Sequence, residues 1–219
     1  NYLMGRAGSN ADSAILMGGY VSPAALNRSF EWNGNTWSVG NTLNKIVSSQ
    51  AGAGTSIGAL SMGGSPGYKT DVESYTKNLL QPFTYNATPS TDSWSGGPNM
   101  ICSRAGYGGG AGNSEAGLVF GGQHAGGANN TTHTEEFDGT SWTEVTNFPQ
   151  NAGYIAAAGT QNAGLVAFGG IAPVAPGAAN IGSPYSVEYN GTNWVNATTD
   201  TDFAPRTAQV RHAMAGTQD

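Results

Sequence analysis

Charge is what this chain has least of. Only 10% of its 219 residues are charged, against about a quarter in an ordinary globular domain. Eight Lys and Arg are scattered through a chain of formal net charge −6, and none of them cluster. A nucleic-acid surface needs a basic stripe to displace counterions from phosphates, so no nucleic-acid partner is expected. An anionic membrane surface is disfavoured for the same reason. Cysteine is almost absent. Cys102 stands alone, which excludes an intrachain disulfide and a multi-cysteine zinc site. No segment reads as a signal peptide. The longest candidate span, residues 163–182, is interrupted by Gly169-Gly170, Pro173 and Pro176, so membrane insertion is not expected. Position 1 is not Met, and the chain reads as a processed product or as a piece of something longer.

What the chain has instead is glycine, 34 residues of it, and short apolar clusters at regular intervals. That combination predicts many short strands joined by tight turns. The clusters repeat. SAILMGG, IGALSMGG, AGLVFGG and AGLVAFGG each end in a doublet: Gly18-Gly19, Gly63-Gly64, Gly121-Gly122 and Gly169-Gly170. After a loop, each doublet is followed by an aromatic, a turn and a tryptophan. The clean copies are FEWNGNTW to Trp37, EEFDGTSW with Phe137 and Trp142, and VEYNGTNW with Tyr189 and Trp194. A looser copy, FTYNATPSTDSW, runs from Phe83 to Trp94 and carries about ten extra residues within 70–93. The tryptophans lie 57, 48 and 52 residues apart, a period near that of a propeller blade. A Gly/Ala stretch precedes each doublet, and HAMAGTQD at the end of the chain repeats its opening.

Each piece has a physical reading. The Gly/Ala stretch is the innermost strand, where converging blades leave room only for small side chains. The apolar strand touches neighbouring blades on both faces. The doublet lets the chain leave that strand at positive φ. Asn33-Gly34, Asp138-Gly139 and Asn190-Gly191 predict type I′ hairpins, with the aromatic before the turn facing the Trp after it. Glu31, Glu136 and Glu188 recur directly before that aromatic. Recurrence from repeat to repeat points to a structural hydrogen bond to a neighbouring blade rather than to catalysis.

This order of elements resembles the Kelch family over nearly the whole chain, which implies an all-β propeller of four-stranded antiparallel blades. The expected units are 1–49, 50–101, 102–150 and 151–203, with 204–219 as the first strand of a further repeat. The four blades could form one ring or a segment of a larger one. The wording of the repeats looks most like the Kelch-like repeats of structural and tail-associated proteins of marine phages, which implies an extracellular or virion location.

Kelch-like propellers include copper radical oxidases, and that resemblance implies a cysteine-linked tyrosine, a second tyrosine and two histidines. Cys102, His124, His133 and His212 do not make such a set, so no enzyme and no cofactor are expected. His124 and His133 with Glu135 and Glu136 could hold a metal, as could Asp200 and Asp202; solvated loops are the simpler reading. Residues 106–117 superficially suggest a phosphate loop, but no helix or Lys follows.

Function is expected on the loops. The resemblance implies that the loops after the doublets (20–27, 65–71, 123–133, 171–185) and those between blades (41–48, 95–103, 146–151, 196–206) crowd one face. The candidate binding residues are His124, Asn129, Asn130, His133 and Arg206. Amide and imidazole groups that both donate and accept suit sugar hydroxyls. Residues 145–187 carry no charge, which predicts that part of the fourth blade is covered by another subunit. The expected partners are therefore a cell-surface glycan or other virion subunits, with oligomerisation. The alternatives are a purely structural subunit and a cellular Kelch adaptor.

Overall fold

The computed structural model describes residues 4–77, 92–105, 108–124, 130–153, 155–167, 170–171, 181–182 and 186–196. No helix occurs among them. Sixteen strands build four antiparallel four-stranded sheets, arranged as the blades of a propeller. Blade 1 contains β1 (Gly5–Asn10), β2 (Ser13–Met17), β3 (Ser29–Trp32) and β4 (Trp37–Val39). Blade 2 contains β5 (Ala51–Gly54), β6 (Gly58–Met62), β7 (Val72–Thr76) and β8 (Ser93–Gly96). Blade 3 contains β9 (Gly109–Gly112), β10 (Gly117–Phe120), β11 (Thr134–Phe137) and β12 (Trp142–Glu144). Blade 4 contains β13 (Ala156–Thr160), β14 (Ala163–Ala167), β15 (Ser186–Tyr189) and β16 (Trp194–Asn196).

The Gly/Ala stretches are the inner strands, side by side in the order β1, β5, β9, β13. Their small residues are obligatory. A Cβ on Gly52 would stand 2.4 Å from the Arg6 carbonyl oxygen, and one on Gly110 would stand 2.7 Å from that of Gly52. The doublets behave alike in three blades. Gly18, Gly63 and Gly121 have φ between 60° and 66°, and Gly19, Gly64 and Gly122 between 87° and 111°. Their second N–H donates to the loop leading into the next blade, at the carbonyls of Val47, Arg104 and Ala152. Each doublet therefore bends the chain and pins the following linker. Gly169 lies outside the described residues.

Two expectations need correction. The hairpins are not type I′ turns, because Asn33, Asp138 and Asn190 do not have positive φ. Each loop has four residues, and the Asx side chain closes it by accepting two backbone N–H groups, as Asn33 Oδ1 does from Asn35 and Thr36 at 3.0 and 2.8 Å. Asp138 and Asn190 repeat the arrangement. Such Asx turns mimic a backbone turn without left-handed geometry at the Asx residue. In blade 2 the third strand is not FTYNATPS. It is VESYT, Val72–Thr76, and Tyr75 rather than Phe83 or Tyr85 stands opposite Trp94. The extra residues fall between β7 and β8, and residues 78–91 lie outside the described set. In this strand the charged Glu73 takes an inward position, only 3% exposed.

The paired aromatics meet as expected. Ring centroids lie 5.5 Å apart for Trp32–Trp37, 5.1 Å for Tyr75–Trp94, 5.0 Å for Phe137–Trp142 and 4.9 Å for Tyr189–Trp194. Each pair contributes about 0.5–1.5 kcal/mol beyond area burial.

The core is divided into three apolar clusters, one between each successive pair of blades. A repeating device seals each junction. The Trp of the later blade donates its indole N–H at 3.1 Å to the linker, at Asn41, Pro98 and Thr146. Six residues after the preceding tryptophan, the linker inserts an apolar plug, Leu43, Met100 or Phe148. The next two amides of the first two linkers then bind a carboxylate of the incoming blade. Glu73 accepts from Asn44 and Lys45, and Glu135 from Ile101 and Cys102. At the third junction the residue after the plug is Pro149, which has no N–H to give, and the strand position is Val187.

Candidate functional site

Strand order fixes where function can sit. In blades 1, 3 and 4, two of the four connections of the repeat are tight turns, which share the face opposite the doublets. Among the described residues, the loops after the first three doublets and the linkers that follow blades 1, 2 and 3 lie together on the other face. There the backbone bridges Leu26–Val47, Ser48–Ser65 and Lys69–Arg104 join them. This grouping agrees with the expected loop face.

Blade 3 carries the candidate binding residues. Gln123–His124 leaves the third doublet and pairs with Arg104–Ala105 of the linker. The chain returns at Asn130, which bridges Gln123, and reaches β11 through His133. The two imidazoles are thereby brought together, with ring centroids 6.1 Å apart. His133 Nδ1 lies 2.6 Å from Glu144 Oε1, and their side chains are 37% and 43% exposed. A contact so exposed contributes little to stability; its consequence is to orient the ring. His124 Nδ1 is enclosed and has no hydrogen-bond partner among the described residues. Asn130 is only 5% exposed and packs over Gly153, so it anchors the loop from inside. Asn129 and Arg206 lie outside the described residues.

Beneath this patch is a buried hub that sequence reasoning missed. Arg104 is 2% exposed and pairs with Glu135, which is fully buried. The guanidinium also donates to the carbonyls of Gly121 and His133, at 3.0 and 3.2 Å. Arg104 thus ties the third doublet, the linker and β11 into one unit under the two histidines. The signal available in the sequence was Arg104 and the Glu135-Glu136 pair in a chain with few charged residues. Glu136 is also occupied, accepting from Tyr189 at 2.7 Å. Neither carboxylate suggested as a metal ligand is free to join the histidines. No group of three or more metal-ligating side chains occurs among the described residues.

The remaining reactive groups are placed for structure. Cys102 is buried, and desolvation pushes its thiol up, away from the thiolate a nucleophile requires. Burial first, and then Glu31, raises the Tyr75 phenol; burial and then Glu136 do the same at Tyr189. Both hydroxyls therefore remain donors. The glycine-rich stretch considered as a phosphate loop is strand β9, followed by a turn and β10 rather than by a helix. Asp200, Asp202 and His212 lie outside the described residues. Between blades 1 and 2, Lys45, Lys69, Asp71 and Glu73 line a shallow cleft. Its charges are already engaged: Lys45 meets Asp71 at 2.6 Å, and Glu73 holds the linker amides.

What the patch offers a ligand is two adjacent imidazoles and a carboxylate, on a rigid base. No family model matches the chain, and no curated protein sequence matches it.

Proposed function

We propose that this propeller is a non-catalytic recognition module whose loop face binds a hydroxyl-rich ligand, a cell-surface glycan, through the His124–His133–Glu144 patch. The observation that carries the reading is the contrast between constant blades and this polar patch on the loop face. His124 and His133 stand on a base fixed by Arg104 and Glu135. Imidazole and carboxylate groups that donate and accept together suit sugar hydroxyls, and a rigid base lowers the ordering cost of binding. The Kelch-like wording of the repeats supports the finer assignment to an extracellular appendage of a virion. A second reading, a structural subunit that binds only protein, is favoured by the charge-free stretch 145–187.

A glycan array probed with the folded chain tests the proposal. Saturable binding is expected, reduced at least tenfold by His124→Ala or His133→Ala while the circular dichroism of the fold is unchanged. Absence of binding by the folded wild-type chain would leave the structural-subunit reading.

A further inference from the structure

Each blade has a trailing face, turned toward the next blade, and a leading face, turned toward the one before. On the trailing face, one residue of the second strand stands beside one of the third strand. The four pairs are Ile15 with Glu31, Leu60 with Ser74, Leu118 with Glu136 and Leu165 with Glu188. The first three apolar residues are at most 1% exposed, because the next blade covers them. Leu60 and Leu118 reach close to that blade: a Cβ on Gly117 would stand 2.8 Å from Leu60 Cδ1, and one on Gly164 would stand 3.2 Å from Leu118 Cδ2. Leu165 is only half-buried.

The polar partners follow a rule. Glu31 of blade 1 accepts from the Tyr75 hydroxyl of blade 2 at 2.7 Å. Glu136 of blade 3 accepts from Tyr189 of blade 4, also at 2.7 Å. Blade 2 has Ser74 at this position, and the aromatic of blade 3 is Phe137, which has no hydroxyl. A carboxylate is met by a tyrosine, and its absence by a phenylalanine. Glu188 has no hydrogen-bond or ion-pair partner among the described residues.

Blade 1 does not complete the rule. Among the described residues, the four blades share three apolar clusters, and β13 makes no contact with β1 of the extent that joins the other inner strands. Its aromatic at the decisive position is Trp32, whose indole N–H is already donated to Ala11 at 2.7 Å. Trp37 is 49% exposed, whereas Trp94 and Trp142 are buried.

We infer that the trailing face of blade 4 is a docking surface for a fifth blade of the same repeat, one whose hairpin aromatic is a tyrosine that donates to Glu188. The sequence points to that occupant. HAMAGTQD, residues 212–219, repeats the wording of the inner strand of blade 4. The interface would match the one already made between blades 3 and 4, with Leu165 in the place of Leu118. The inference is independent of any glycan bound on the loop face.

The test adds a second copy of residues 163–203 after Asp219 of the full chain, which completes a fifth blade carrying a copy of Tyr189. Hydrogen exchange is measured at residues 163–167 in the extended and original chains. Protection is expected to rise at least tenfold on extension. Glu188→Gln, or Tyr→Phe at the copied Tyr189, should cancel about tenfold of it, the effect of losing one charge-assisted hydrogen bond. No gain in protection would overturn the docking surface. A gain indifferent to both substitutions would overturn the selection by tyrosine. Sedimentation of the original chain supplies a second arm. A dimer that dissociates with either Leu165→Asp or Trp37→Ser would show that blade 1 of a second copy is the occupant, and would also overturn the inference.

Discussion

Leu118 and Leu165 occupy equivalent positions in adjacent blades, yet removing their side chains should have very different effects. Leu118 is fully buried at the junction of blades 3 and 4. Truncation to Ala loses a transfer contribution of ~0.8 kcal/mol per methylene and leaves a cavity. Directly opposite stands Gly164, where even an added Cβ would be 3.2 Å from Leu118 Cδ2. A glycine has no side chain to move into the void, so little relaxation is available. The expected cost of Leu118→Ala is about 3–5 kcal/mol. For a chain of this size that lowers the melting temperature by roughly 10 °C. Leu165→Ala, at a half-buried site, should cost less than about 1 kcal/mol. Urea unfolding followed by tryptophan fluorescence reports on this junction, because Trp194 lies in it. Equal costs for the two substitutions would refute the argument, since they would mean that Leu165 is already covered in the free chain.

Two further outcomes are expected. Glu135→Ala strips the buried Arg104 of its counter-charge and two linker amides of their acceptor, and should destabilise the chain by about 3–5 kcal/mol in the same urea assay. A fully buried pair can often be replaced by apolar residues at little cost, so Glu135→Val combined with Arg104→Met should recover part of that loss, while the Ile101 and Cys102 amides still lack their acceptor. Asp138 has its carboxyl held below its usual value of 3.8, chiefly by the N–H groups of Ser141 and Thr140. Because the folded pKa is depressed, the contribution is complete above the unfolded value and is lost as pH falls through the folded one. Asp138→Asn should keep the turn, since Asn33 and Asn190 close theirs identically. It should also flatten the dependence of stability on pH below about 4, measured by thermal melts across that range.

The blade plan was legible because it rests on local chemistry. Doublets at positive φ, inner strands of Gly and Ala, and paired aromatics each leave a fixed residue type at a fixed spacing. Of the recurrent Glu31, Glu136 and Glu188, the first two accept a hydrogen bond from the neighbouring blade, as the recurrence predicts. Blade 2 was misread at its third strand because Tyr75 lies far from Trp94 in sequence. The intervening residues supplied a nearer, false aromatic. Turn type was misread because Asn-Gly and Asp-Gly suit both a two-residue I′ loop and a four-residue Asx loop. The choice depends on strand register, Trp32 opposite Trp37, which composition does not reveal. Of the candidate site, the nearness of His124 to His133 followed from their shared loop, whereas the burial of Asn130 did not.

The sequence by itself determined the four repeats, which strands line the axis and where the chain must turn, because those features depend on residues close together along the backbone. The tertiary structure alone decided which charges are spent on holding blades together. Arg104 reaches Glu135 across 31 residues, and Glu136 reaches Tyr189 across 53. Such partners are chosen by the stacking of one blade on the next, where a buried charge must find its counterpart or cost the fold several kcal/mol.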